Sequence, residues 1–137
     1  MATILAHIRV HPGAEARFEA VARRLYDATH ADETGVHAYQ YWRGREPGSY
    51  YALLAFADHR SFIEHQVSPH HDEATPELGE VIAEMRLEWV DPVPGASPWP
   101  PTAHQAPADD ADDEVRRATE AFAARIADWW TSQASSG

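Results

Sequence analysis

Histidine is the residue type in this sequence best suited to acid–base chemistry. The chain of 137 residues has nine histidines, no cysteine and no lysine, which excludes thiolate nucleophiles, cysteine-ligated zinc and lysine Schiff bases. His65 lies three residues after Phe62 in a predicted helix, and His70 directly follows the Ser68-Pro69 helix start. An imidazole with a pKa near ~6.5 accepts a phenolic proton at neutral pH. We therefore predict His65 and His70 as catalytic bases.

The same histidines also allow a metal-binding interpretation. His65, His70, His71 and Asp72 all contain metal-ligand atoms, and His59 lies nearby. A helical pair of metal ligands uses positions i and i+4, whereas His65 and His70 are five residues apart across a proline-capped break. The spacing favours a base over a metal ligand, and we predict neither a metal nor another cofactor.

Aromatic residues around these histidines are the candidates for enclosing a hydrophobic substrate. The predicted pocket residues are His59, Tyr39, Tyr51, Trp42, Trp89 and Phe62. Successive side chains of a strand point to opposite faces of a sheet, so some of these rings face the helices and others the opposite side. The sequence leaves open which of the tyrosines and tryptophans face a pocket.

The order of hydrophobic patterns predicts an α+β fold with the ferredoxin-like split β-α-β-β-α-β topology and an antiparallel sheet. Serine or threonine followed by proline is typical of a helix start. The predicted elements are a strand over 3–10, a helix that ends before Gly35, strands over 36–43 and 50–56, helices after Asp58, Ser68 and Thr75, and a strand over 85–90.

A sheet with helices on one side only leaves its other face bare. We place Leu5, His7, Tyr39 and Tyr41 on that face, where they would expose a large apolar and aromatic patch to water. Such a patch is typical of an interface. The sequence therefore predicts a homodimer in which two sheets face each other and close a barrel.

Composition divides the chain after residue 93. Residues 1–93 form the predicted domain, 94–112 a proline-rich and acidic linker, 113–131 an amphipathic helix and 132–137 a disordered tail. The apolar stripe of the helix consists of Val115, Ala118, Phe122, Ile126 and Trp129. A helix of this length is marginal alone in water, so we expect it to dock on the outer helices of the partner subunit; covering the mouth of the pocket is the alternative.

Charge and apolar patterning argue against nucleic acid and membranes as partners. The formal net charge is −11, which argues against nucleic acid, because binding phosphates requires clustered basic residues. The N-terminal residues lack the basic and apolar regions of a signal peptide, and the longest apolar run, 50–57, is too short for a bilayer. We expect a cytoplasmic protein that contacts neither membrane nor nucleic acid.

Three segments carry a resemblance to a known family. They are 33–39 (ETGVHAY), 51–58 (YALLAFAD) and 65–71 (HQVSPHH), and together they resemble the antibiotic biosynthesis monooxygenase (ABM) family. The resemblance implies a dimeric α+β barrel and cofactor-independent oxygenation of a quinol or polyphenol. His71 stands where the family usually has an apolar aromatic residue, and the residues after Gly95 have no counterpart in the compact family core.

We therefore predict an oxidoreductase: a cofactor-independent monooxygenase that acts on a hydrophobic aromatic substrate and O2. Two alternatives stay open. A cyclase or isomerase would use the same base and pocket without oxygen, and a small ligand-binding or stress-response dimer would hold its ligand without turnover.

Overall fold

The computed structural model describes residues 1–130. The predicted disordered tail over 132–137 lies outside the described residues. In chain order the elements are β1 (Ala2–Val10), α1 (Glu15–Asp32), β2 (Val36–Arg43), β3 (Ser49–Phe56), α2 (His59–Gln66), α3 (Pro69–Val81), β4 (Ile82–Trp89) and α4 (Asp113–Ala121). The strands form one antiparallel sheet in the order β2-β3-β1-β4. The predicted ferredoxin-like α+β topology is confirmed.

Two side-chain caps separate α2 from its neighbours. Asp58 accepts a hydrogen bond from the Ser61 N–H at 2.8 Å and begins α2. Ser68 accepts one from the His71 N–H at 3.3 Å and begins α3, with Pro69 in the first turn. Because these caps satisfy free N–H groups at the helix ends, the chain turns sharply between α2 and α3.

Pro76 lies inside α3, so the predicted helix restart at Thr75 is wrong. A proline within a helix removes one backbone hydrogen bond. Beyond it, the Glu77 carboxylate lies 2.7 Å from Nη2 of Arg24 on α1, and Val81 at the helix end is fully buried. Docking of α3 against α1 and the core keeps the helix continuous.

Strand pairing decides which side chains face the helices. Tyr39 pairs with Leu54, which in turn pairs with Ile4, and residues that pair directly across strands point to the same face. Ile4 and Tyr39 are both buried in the core on the helix side of the sheet. The prediction that Tyr39 and Tyr41 belong to the open face is therefore wrong.

No helix of the described residues 1–130 packs on the opposite face of the sheet. It contains the cross-strand pairs Leu5–Leu53 and His7–Tyr51 together with Trp42, which pairs with Tyr51. Trp42 is 59% exposed and Tyr51 is 40% exposed. Large exposed rings beside leucines form the kind of patch that a second subunit covers.

Residues 91–122, which we call the strap, return along the domain. The Thr102 hydroxyl donates to the Val90 carbonyl at 2.6 Å, and the Ala103 N–H donates to the Met1 carbonyl at 2.9 Å. The strap ends in α4, which contacts α2 of the same chain. In this structure the segment packs on α2 of its own subunit, and docking on the outer helices of a partner subunit stays a prediction.

The C-terminal helix is shorter than predicted. It ends at Ala121, and Phe122 leaves the helical conformation with φ −118° and ψ 40°. A separate helical turn covers 128–130, so the predicted helix over 113–131 is wrong beyond Ala121. The physical reason is that Phe122 turns toward α2, where its carbonyl accepts a hydrogen bond from His59. Within residues 1–130 every helix is too short or too polar to cross a bilayer.

The open face predicts the state of assembly. We expect sedimentation equilibrium at micromolar concentration to give about twice the chain mass of 15.3 kDa, because two such faces bury each other in a C2 dimer. Leu53→Glu places a charge within this face and should give a monomer. Tyr26→Glu, a 45% exposed position on α1, is the matched control and should leave the mass unchanged. A monomeric wild-type protein would contradict the prediction.

Candidate functional site

A cavity of about 320 Å³ lies between the helix side of the sheet and the helices. Most of its wall is apolar, as in many small-molecule sites. The sheet contributes side chains such as Ala6, Leu54 and Leu87, and the helices contribute Phe18, Leu25 and Phe62. His65, Tyr39 and Tyr41 add polar atoms to this wall.

Glu33 joins His65 and His70 through a single carboxylate oxygen. Its Oε2 lies 2.8 Å from Nδ1 of His65 and 2.6 Å from Nε2 of His70. The side chain of His65 is 1% exposed, and those of Glu33 and His70 are 13% and 16% exposed. The group therefore lies largely out of water, at the point where the end of α1 meets α2 and α3.

Local backbone structure explains how Glu33 reaches this position. Helix α1 ends at Asp32, and Glu33 adopts an extended conformation while its N–H still donates to the Thr29 carbonyl. Two residues later, a Cβ at Gly35 would overlap the Ser61 side chain. Only glycine allows the loop after α1 to approach α2 this closely.

The protons in this group can be assigned from the carboxylate. Burial opposes ionisation of Glu33, but the hydrogen bonds and positive charges of His65 and His70 outweigh burial and lower its pKa. An ionised carboxylate only accepts hydrogen bonds, so Nδ1 of His65 and Nε2 of His70 must donate. In the neutral His65 ring, Nε2 is then the basic nitrogen.

Two tyrosine hydroxyls lie in the same cavity. The hydroxyls of Tyr39 and Tyr41 are 2.7 Å apart, and the Tyr39 ring centroid is 4.9 Å from that of His65. Burial raises the pKa of Tyr39 well above its ordinary value and also raises the pKa of Tyr41. Both therefore stay protonated at neutral pH. One hydroxyl donates to the other, which leaves a second phenolic proton available to an oxygen atom of a ligand.

His71 also lines the cavity, with its ring centroid 5.2 Å from that of His65. Burial, and then the positive charge that His65 can carry, lower the pKa of His71 to about 4. Its Nδ1 is buried without a hydrogen-bond partner in the described part of the chain. His71 is therefore an uncharged ring at physiological pH. In this respect it is similar to the apolar aromatic residue that the family resembled by this chain usually has at the position.

The predicted site residues separate into two groups. His65, Tyr39 and Phe62 line the cavity. His70 does not line the cavity: it is hydrogen-bonded to Glu33 and lines a separate groove between α1 and α3. The other four lie elsewhere: Trp42 lines a groove between α1 and β2, Tyr51 lies on the open face beside His7, and His59 packs against Trp89 with ring centroids 5.7 Å apart.

Sequence reasoning gave Glu33 and Phe122 no place in the site, and it placed Tyr41 on the open face. Glu33 stands in the segment ETGVHAY, where a glutamate just before a glycine-containing turn was the available signal. For Phe122, which lies 57 residues after His65, the available signal was the alternative that its helix covers the mouth of the pocket. That contact depends on the path of the strap.

The same group also has the donor set of a metal site. Oε2 of Glu33, Nδ1 of His65 and Nε2 of His70 all lie within 4.8 Å of one another, and two histidines with one carboxylate are ligands that zinc uses. The two short hydrogen bonds already satisfy these atoms without a cation. The expectation of a metal-free site stays a prediction.

Comparison with known proteins identifies the family. The family model described as antibiotic biosynthesis monooxygenase matches residues 1–77. A Caulobacter crescentus CB15 protein, described as a candidate antibiotic biosynthesis monooxygenase, is 28% identical with a TM-score of 0.64 over 67% of this chain and 89% of its own. Rv0793 from Mycobacterium tuberculosis is 20% identical with a TM-score of 0.63, over 70% of this chain and 98% of its own. No curated protein gives a significant match. The chain therefore belongs to the antibiotic biosynthesis monooxygenase family.

Proposed function

We propose that the protein is a cofactor-independent monooxygenase that oxidises a hydrophobic quinol or polyphenol in the cavity beneath the sheet. The observation that carries the proposal is the position of His65, which lines an apolar cavity while Glu33 holds its Nδ1 proton. A buried imidazole whose other nitrogen is basic is suited to removing a phenolic proton. Family membership and the oxygenase descriptions of related structures support the reaction class.

The reaction balances without an external reductant. A quinol and O2 give a hydroxyquinone and water: one oxygen atom enters the ring, and the other leaves as water with two hydrogens of the quinol. His65 Nε2 takes the phenolic proton, and the resulting electron-rich anion reacts with O2 to form a carbon–oxygen bond. Loss of water from the resulting hydroperoxide completes the four-electron oxidation of the substrate. The proton held on His65 returns to the oxygen that leaves.

The remaining groups of the cavity stabilise the anion and exclude water. The free phenolic proton of the Tyr39–Tyr41 pair can donate to the phenolate oxygen, as preorganised donors do in other enzymes. The apolar wall strengthens this interaction because it lowers the local dielectric. We further propose that the protein works as a homodimer in the cytoplasm.

Oxygen uptake tests the reaction directly. In metal-free and flavin-free buffer, the protein should consume one O2 per quinol with a panel of hydroquinones, and 18O2 should label the product with one oxygen atom. Conversion of the substrate at the same rate without O2 would favour a cyclase or isomerase. Tight binding with no conversion would favour a ligand-binding dimer. Either result would overturn the monooxygenase proposal.

Substitution of each histidine separates the base from its neighbour. His65→Ala should lower kcat by about 10²-fold or more, which is the lower end of general-base contributions. His70→Ala is the matched control, because it removes the other hydrogen bond to Glu33 but no part of the cavity wall. His70→Ala should lower the melting temperature by about as much as His65→Ala does, but it should lower kcat much less. Equal losses of kcat in the two variants would contradict the assignment of His65 as the base.

The lowered pKa of His71, about 4, predicts acid sensitivity. The unfolded chain takes up a proton at His71 near pH ~6.5, whereas the folded chain resists protonation until about pH 4, so stability falls as the pH falls between these values. His71→Phe should remove a loss on the order of 1–2 kcal/mol in the free energy of unfolding between pH 7 and pH 5. Urea unfolding at both pH values measures it.

A histidine outside the site provides the control for this experiment. His11→Phe changes an exposed position in the turn before α1 and should leave the pH dependence as in the wild type. Parallel stability curves for the wild type and His71→Phe would show that the acid loss comes from other groups.

A further inference from the structure

Phe122 brings the C-terminal strap into the wall of the cavity. It is the residue of the strap that lines this space, and it lies well beyond residue 77, where the family match ends. The ring of Phe122 packs edge-on against Phe62 with centroids 6.0 Å apart, and Phe62 is itself a fully buried part of the wall. One side of the cavity is therefore built from a segment outside the matched core.

His59 fixes the backbone on which Phe122 sits. Its side chain is fully buried, and both ring nitrogens bond to the strap. Nε2 donates to the Phe122 carbonyl at 2.9 Å, because a carbonyl only accepts. Nδ1 lies 3.1 Å from both the N–H and the carbonyl oxygen of Gln105, so both ring nitrogens contact backbone groups of the strap.

Neighbouring contacts hold the strap against the same helix. The Arg60 N–H donates to Oε1 of Gln105 at 2.9 Å, and Arg60 Nε donates to the Ala106 carbonyl at 3.0 Å. Val115 and Ala118 of α4 pack against the core. The position of the Phe122 ring is therefore set by strap contacts that precede it along the chain.

We propose that Phe122 is a specificity-determining residue that limits the size of the aromatic ligand the cavity accepts. This inference rests on the proposed function for the class of ligand, which we take to be a quinol or quinone with fused rings. At about 320 Å³ the cavity is at the small end of the range for ligand sites, so one phenyl ring in the wall is a large share of the space. The wild type favours two fused rings over three.

Binding of two neutral quinones tests this without turnover. Quenching of tryptophan fluorescence gives the Kd of 1,4-naphthoquinone, with two rings, and of 9,10-phenanthrenequinone, with three. We expect wild type to bind the two-ring compound more tightly, and Phe122→Ala to shift the ratio of the two Kd values by about tenfold toward the three-ring compound, in line with size discrimination in apolar pockets. Phe122→Leu, which restores part of the wall, should give an intermediate ratio.

Ile126→Ala is the matched control, because Ile126 lies four residues after Phe122, is 37% exposed and does not line the cavity. It should leave the ratio unchanged, and circular dichroism should show all variants folded. The proposal is overturned if Phe122→Ala changes both Kd values by the same factor, if Ile126→Ala shifts the ratio equally, or if neither quinone binds. Size-dependent binding without oxygen uptake would overturn only the proposed function.

Discussion

The carboxylate of Glu33 is the interaction on which the site depends. One oxygen atom accepts hydrogen bonds from two helices and sits at the end of a third. A buried carboxylate left without donors would be costly, whereas one with two charge-capable donors is stabilised in its ionised form. Because the ionised form can only accept, the same contact that ties α1 to α2 and α3 also determines which nitrogen of His65 carries the proton. The same oxygen atom of Glu33 thus holds the three helices together and fixes the position of the proton on His65.

Several local features allow the side chains of His65 and His70 to reach the carboxylate of Glu33. Ser68 and Pro69 break the helical region so that His65 and His70, five residues apart, approach the same oxygen from different helices. Gly35 lets the loop after α1 lie against Ser61 without a steric overlap. None of these three residues has a chemical role, yet a bulkier residue at 35 or a continuous helix at 68 would move the donors away from Glu33. Because the helix is broken between them, His65 and His70 reach the same oxygen atom although they lack the i,i+4 spacing of two ligands on one helix.

Much of the fold was predictable from the sequence, because alternation and capping are local signals. The strand over 36–43 and the helix starts at Asp58 and Ser68 are where the sequence predicts them. The facing of Tyr39 was not predictable, since period-two alternation defines two faces but only pairing with Leu54 tells which one is inside. The continuous helix through Pro76 and the end of α4 at Ala121 depend on tertiary contacts that local propensity does not contain.

Candidate site residues follow the same division. His65 and Phe62 could be found because they lie on a patterned helix close to the helix break. His59 shows the opposite case: a histidine beside a cap looks like a pocket residue, but its ring is used entirely in binding the strap. A sequence pattern can indicate that a polar ring is buried, but it does not show which backbone groups form hydrogen bonds with that ring.

The separation of His59 and Phe122 by 63 residues along the chain also has a consequence during protein synthesis. The N-terminal sheet and its helices emerge from the ribosome before the strap does, so the core can assemble while one wall of the cavity is missing. Until the strap arrives, the nitrogens of His59 and the ring of Phe62 face water instead of protein, and closing this long loop carries an entropic cost. The nascent chain thus passes through a stage in which the base is in place but the compartment around it is open, and only the final segment isolates it from solvent.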